Sequence, residues 1–235
     1  MRLHLIRHGQ TPSNVRRLLD TDEPGPGLTE LGREQAEALP EALGGAGIER
    51  LYASNLVRTQ LTAAPLSEAL GLEVTIRPGL REIRAGNLEM AGDDDSVRAY
   101  LDTVFAWSLG GLDQRVPGSD EDGQAVLARF DDVVREIAET GAQTAAVFSH
   151  GAMIRAWSAA RCRNISAPFA MARGLTNTGV VVIDGAPGSW TALTWMDEAL
   201  GGEDVDTGTG GPAGEPVEEL VDVDQDDVDE EGSWS

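Results

Sequence analysis

Four short polar clusters carry the residue types that move a phosphoryl group. They are Arg7-His8-Gly9, the stretch from Ser54 to Arg58, Arg81-Glu82, and Ser149-His150-Gly151. The first follows the apolar run Leu3–Ile6 and has Asn14 behind it; the last follows Val147-Phe148. The chain has three histidines, and two of them stand where strands are expected to end. Phosphoryl transfer needs positive charge around three equatorial oxygens and a nucleophile in line with the leaving group. Arg7 and Arg58 suit the oxygens, because a guanidinium presents a planar fork of donors. One histidine can attack through a neutral ring nitrogen, with His8 as the candidate nucleophile. The other can donate, protonated, to the same oxygens. Glu82 fits a general acid toward the leaving alcohol if burial keeps it protonated, with Glu73 and Glu89 as competing carboxylates. Asn14 can bridge phosphate and nucleophile. Neither a metal nor a cofactor is called for, since two histidines without clustered spacing make a poor metal site.

These clusters act together only if the fold brings them to one rim. In a mostly parallel sheet, ligands bind outside the carboxyl ends of the strands. Residues 1–200 alternate strand and helix patterns, the signature of an α/β domain. Strands are expected at Leu3–Ile6, Ile48–Ala53, Val74–Ile76 and Ala145–Phe148. Two late strands, Val180–Ile183 and Thr191–Trp195, form a hairpin around Gly185–Gly188. Thr29 caps a helix from Glu30 whose apolar face is Leu31, Ala38, Leu39, Ala42 and Leu43, with a bend at Pro40. Ser54 caps the next helix, which passes Pro65 and stops at Gly71. Residues 93–120 read as less regular. Helices follow over 124–140 and 152–162. His4 alternates away from the rim and has a strand role only.

The formal net charge of −22 disfavours nucleic acid and anionic membrane as partners. All 18 basic residues are arginine, so a pocket for a small anion must be built from arginine. No apolar run is long enough to span a membrane, and Met1-Arg2 lacks the pattern of a signal peptide. A cytoplasmic location is expected, and a homodimer is left open. Cys162 is the single cysteine, which excludes an internal disulfide. Residues 201–235 read as a disordered acidic tail. Within it, Asp222-Val-Asp224-Gln-Asp226 imitates a calcium loop but has Asp227 and Ser233 where glycine and glutamate are needed. The alternative to a plain solvated tail is a short element around Val217, Leu220, Val221 and Val223 for an unidentified partner.

The motifs resemble the histidine phosphatase superfamily, which includes the cofactor-dependent phosphoglycerate mutases. The resemblance rests on Leu5-Ile6-Arg7-His8-Gly9-Gln10-Thr11 with Asn14, Leu28-Thr29-Glu30-Leu31-Gly32, Ser54 to Thr59 with Thr62-Ala63, Glu82, and Ser149-His150-Gly151. It spans residues 1–195 and implies a three-layer α/β/α sandwich with a mostly parallel central sheet. It also implies a phosphohistidine on His8 and a phosphate pocket of Arg7, Asn14, Arg58 and His150, with Glu82 as proton donor. Gln10, Thr11 and Gly151 join the substrate-binding set. A metal-independent phosphomonoesterase acting on a small phosphorylated substrate is expected rather than a mutase. Asp93-Asp94-Asp95 and Asp120-Glu121-Asp122 surround the region after Glu82, where a mutase needs extra cations. A mutase-type transfer and a non-catalytic phosphate-binding module are the alternatives. Residues 85–123 read as a lid, with Phe105, Trp107, Leu109 and Leu112 either facing an apolar substrate or packing a helix onto the body.

Overall fold

The computed structural model of the chain describes residues 1–196. The tail at 201–235, with its calcium-loop imitation and its Val217–Val223 element, lies outside the described residues. The six strands are β1 (Arg2–Arg7), β2 (Arg50–Ala53), β3 (Val74–Ile76), β4 (Thr144–Ser149), β5 (Val180–Ala186) and β6 (Ser189–Trp195). They form one sheet in the order β3-β2-β4-β1-β5-β6. The pairs β2–β3, β2–β4 and β1–β4 are parallel, whereas β5 and β6 run antiparallel at one edge.

Strand alternation divides the core into two layers. Leu3, Leu5, Ala145 and Val147 face a cluster with α4 (Asp94–Ala106), α5 (Gly123–Glu139) and α6 (Gly151–Arg161). Ile6, Ala146 and Phe148 face the other way, onto α2 (Glu30–Leu43) and α3 (Val57–Leu70). The two short helices are α1 (Pro12–Val15) and α7 (Ala167–Ala172). Among the described residues, no helix is long and apolar enough to cross a membrane.

Several local expectations need correction. The buried face of α2 is Gly32, Gln35, Ala36, Leu39 and Leu43, while Ala38 and Ala42 are exposed. Pro40 and Pro65 lie inside their helices, where the sequence reading put them. Ser54 does not cap α3: the helix begins at Val57, two residues too late for that geometry, and Leu56 at the cap makes no side-chain bond. The region read as irregular contains α4, capped by Asp93, whose side chain accepts the Ser96 N–H. Val97, Tyr100, Leu101, Val104 and Phe105 form its buried stripe, at helical spacing. Phe105 and Trp107 are buried in the core, Leu109 is exposed, and none of the four aromatic and leucine residues of the supposed lid lines the cleft described below.

The parallel strands place four carboxyl ends side by side. Backbone bonds fasten that edge: His8 N–H to the Ser149 carbonyl at 3.1 Å, Ser54 N–H to the Phe148 carbonyl at 3.1 Å, and Arg77 N–H to the Ala53 carbonyl at 2.9 Å. The loop after β1 then presses onto the start of α2. A Cβ at Gly9 would stand 2.5 Å from the Gly32 carbonyl oxygen, and one at Gly32 would stand 2.1 Å from the Gln10 carbonyl oxygen. Only a glycine pair permits this approach.

Candidate active site

A narrow cleft opens at this rim, lined by Arg7, His8, Thr11, Ser13, Asn14, Leu18, Leu19, Asp20, Thr21, Arg58 and Glu82. His8 leaves the end of β1 nearly buried. Its Nδ1 lies 2.8 Å from the Gly9 carbonyl, which can only accept. The proton therefore sits on Nδ1, and Nε2 keeps its lone pair. Burial first, then the Arg58 and Arg7 charges, hold the His8 imidazolium pKa well below its ordinary value. The ring is neutral at physiological pH, as a nucleophile requires.

Arg58 projects from the first turn of α3 and is buried. Nη2 donates to the Asp20 carbonyl at 3.0 Å, while Nε and Nη1 have no hydrogen-bond partner among the described residues. Gly25, at φ +70°, covers this guanidinium; a Cβ there would stand 2.5 Å from Nη1. Arg7 donates through Nη1 to the Leu175 carbonyl. Burial lowers the Arg58 pKa while Glu82, Asp20 and Glu89 oppose it, and a buried guanidinium with donors to spare favours an anion.

Asn14 is oriented by its neighbours. Its Oδ1 accepts the Thr11 N–H at 3.0 Å, the Thr11 hydroxyl at 3.1 Å and the Asn177 amide at 3.2 Å. That assignment leaves the Asn14 Nδ2 donors for the cleft. Thr11 lines the cleft as the cap of α1. Gln10 does not line it: its Oε1 accepts the Thr29 hydroxyl at 2.9 Å and its N–H donates to Gln35. Gly151 starts α6 and is likewise absent from the lining.

His150 is fully buried, with its ring centroid 5.3 Å from that of His8. Its Nε2 is 2.7 Å from Ser54 Oγ, which also accepts the Leu56 N–H. With the Thr59 hydroxyl donating to the Leu56 carbonyl at 2.8 Å, the Ser54 proton can go to Nε2. The His150 proton then sits on Nδ1, which has no partner among the described residues. Burial, then Arg58 and His8, push the His150 pKa well below its usual value. That direction favours a neutral His150 over the charged donor expected from the sequence, and in the tautomer with Ser54 donating to Nε2 the ring offers an Nδ1–H.

Glu82 is buried at the start of α6. Oε1 accepts the N–H groups of Ile83 at 2.9 Å and Met153 at 3.0 Å, and Oε2 accepts that of Ala152 at 3.2 Å. It thus caps a helix whose own N-cap, His150, makes no side-chain capping bond. Burial raises the Glu82 pKa; the Ile83 N–H, Arg58, and the Ala152 and Met153 N–H groups oppose it, and the net direction is upward. The competing carboxylates drop out. Glu89 is occupied by the Thr21 hydroxyl and the Thr21 and Asp22 N–H groups, and Glu73 is exposed on the surface.

Sequence reasoning missed the supports of these groups. Asn177 donates to the His8 carbonyl at 3.0 Å as well as to Asn14, from a turn with no periodic signal. Arg129 of α5 donates to the carbonyls of Gly79, Arg81 and Glu82 at 2.8, 2.8 and 3.2 Å, fastening the segment that carries Glu82. Glu121 pairs with both Arg129 and Arg81. Arg155 of α6, with its pKa lowered to about 9 first by burial and then by Arg7, donates to the Ala170 and Met171 carbonyls of α7. Among the described residues, no group of three or more His, Cys, Asp or Glu is placed to hold a metal ion.

A family model described as histidine phosphatase superfamily (branch 1) matches residues 3–198. The chain belongs to this superfamily. A PE-PGRS family protein of Mycobacterium tuberculosis is 35% identical over 237 residues, covering 94% of this chain and 39% of that protein. The chain therefore spans well under half the length of that relative. The structure of a mycobacterial glucosyl-3-phosphoglycerate phosphatase superposes with a TM-score of 0.69 at 28% identity, covering 83% of this chain and 98% of that one. An α-ribazole phosphatase from Shigella flexneri gives 0.67 at 28% identity, covering 87% and 100%. The histidine phosphatase fold and its phosphatase relatives agree with the three-layer α/β reading of the sequence.

Proposed function

We propose that this histidine phosphatase superfamily member hydrolyses phosphomonoesters through a phosphohistidine on His8. The observation that carries the reading is a neutral His8, its Nδ1–H fixed on the Gly9 carbonyl, standing in a cleft that also holds Arg7, Arg58 and Glu82. His8 Nε2 attacks phosphorus; the N–P bond forms as the ester P–O bond breaks. Glu82 gives its proton to the departing oxygen and becomes a carboxylate. In the second half, that carboxylate takes a proton from water as the water oxygen attacks phosphorus. The N–P bond breaks, and inorganic phosphate and neutral His8 return. Arg7, Arg58, the Asn14 amide and the His150 Nδ1–H hold the equatorial oxygens through both halves.

Two guanidinium groups supply the charge compensation, so the reaction needs no metal ion. Hydrolysis is favoured over mutase chemistry because both cations that line the cleft are taken by one phosphoryl group. A bisphosphorylated intermediate would need more. Purified protein is expected to release p-nitrophenol from p-nitrophenyl phosphate in the presence of EDTA. His8→Ala is expected to abolish it. Activity lost on chelation and restored by a divalent cation, or retained in His8→Ala, overturns the proposal.

A further inference from the structure

Beyond Arg7, His8, Asn14, Arg58 and Glu82, which would hold the phosphoryl group, the cleft lining carries one further charged residue, Asp20. Leu18, Leu19, Asp20 and Thr21 form the cleft wall. Asp20 is fixed from both ends: Ser13 Oγ donates to its Oδ2, and its carbonyl accepts Arg58 Nη2 at 3.0 Å. Its Oδ1 makes no hydrogen bond among the described residues. The segment is pinned in turn against residues 89–91, with Leu19 N–H donating to the Ala91 carbonyl and Met90 N–H to the Leu19 carbonyl, each at 2.8 Å. Among the described residues, the cations lining the cleft are Arg7 and Arg58; Arg16 and Arg17 are exposed and outside its lining.

We infer that Asp20 determines specificity: the substrate is a phosphomonoester of an alcohol that carries no second anionic group. The inference rests on the phosphohydrolase reading above. With the guanidinium groups engaged at phosphorus, a carboxylate or second phosphate on the leaving alcohol would meet the Asp20 carboxylate at the cleft wall, beside Leu18. Like charges a few ångströms apart in such a setting repel strongly. A hydroxyl or an amine would instead meet a fixed acceptor. Discrimination of this kind works by an unfavourable contact as much as by a favourable one.

Glycerol 3-phosphate and 3-phosphoglycerate test this directly, because they differ by a hydroxymethyl group in place of a carboxylate. The kcat/KM for glycerol 3-phosphate is expected to exceed that for 3-phosphoglycerate by about tenfold or more. Asp20→Asn, which keeps an oxygen for Ser13, is expected to shrink that ratio by about tenfold. In the unaltered protein the ratio should also narrow as salt rises from about 0.02 M to about 0.5 M, since screening weakens the repulsion. Equal or better use of 3-phosphoglycerate, a ratio that Asp20→Asn leaves in place, or a ratio indifferent to salt overturns the inference while p-nitrophenyl phosphate hydrolysis by His8 stands. Absence of that hydrolysis would remove both readings together.

Discussion

Glu82→Gln separates the helix cap that the structure shows for Glu82 from the proton-donor role proposed for it. As a proton donor, Glu82 matters in proportion to how badly the leaving oxygen needs a proton. A positioned general acid contributes roughly 10²- to 10⁴-fold. That whole factor is expected to be lost for an alkyl phosphate such as glycerol 3-phosphate. For p-nitrophenyl phosphate the loss should stay under about tenfold, because p-nitrophenoxide leaves unaided. As a helix cap, Glu82 accepts three N–H groups. A glutamine oxygen at the Oε1 position keeps Ile83 and Met153, but its NH₂ faces the Ala152 N–H. Leaving that buried N–H unsatisfied costs about 1–3 kcal/mol, which lowers Tm by about 2–12 °C for a domain of this size. A melt that shows the variant folded at 25 °C makes the alkyl loss chemical. The assay is steady-state kcat on both substrates with a thermal melt on the same preparation. Equal losses on the alkyl and aryl esters would refute the general-acid role and leave Glu82 as a cap.

Further outcomes follow from burial and charge. The pH profile of kcat/KM should be bell-shaped with a mildly acidic optimum. His8 must be neutral and its pKa is depressed, so the acid limb lies below pH 6.5; Glu82 must be protonated and its pKa is raised, so the falling limb lies above pH 4.5. A rate still rising above pH 8 would contradict these assignments. His4 is buried with both ring nitrogens unpartnered among the described residues, and its pKa is lowered to about 4 by burial and then by Arg2. The unfolded chain binds the proton first, so this group's contribution is present above pH 6.5 and is lost as pH falls toward 4, up to about 3 kcal/mol. His4→Leu should raise stability at pH 5 more than at pH 8 in denaturant melts; an equal or opposite change would show that His4 is paired. Arg129→Met removes three donors from the Glu82 segment while Glu121 keeps Arg81. It should lower kcat for glycerol 3-phosphate more than for p-nitrophenyl phosphate, and a uniform loss would reduce Arg129 to a folding role.

The groups assigned to the proposed phosphoryl site were legible because the sheet is parallel where it matters. Each of Arg7-His8, Ser54, Arg81-Glu82 and His150 follows a strand or its connection, and parallel strands leave their carboxyl ends on one edge. The strands themselves showed as short β-branched or apolar runs. What stayed hidden was contact between distant stretches. Ser54 looks like a cap in one dimension, but its hydroxyl meets His150, 96 residues away. Residues 93–120 read as less regular, although Val97 to Phe105 carry helical spacing. The acids at the start hid a first helical turn, where negative charge is favoured. Arg129 and Asn177 act on backbone carbonyls, which have no sequence identity to recognise. Asp20 is unremarkable until the fold turns it toward Arg58.

The most direct measurement is chemical trapping of the intermediate. The protein is mixed with radiolabelled phosphosubstrate, quenched in alkali within one turnover, digested and mapped by mass spectrometry. The expected result is an acid-labile, base-stable label on the peptide containing His8, formed and discharged at least as fast as steady-state turnover and missing from His8→Ala. Label on another residue, label that survives in His8→Ala, or full hydrolysis with no phosphoenzyme formed would contradict His8 as the nucleophile.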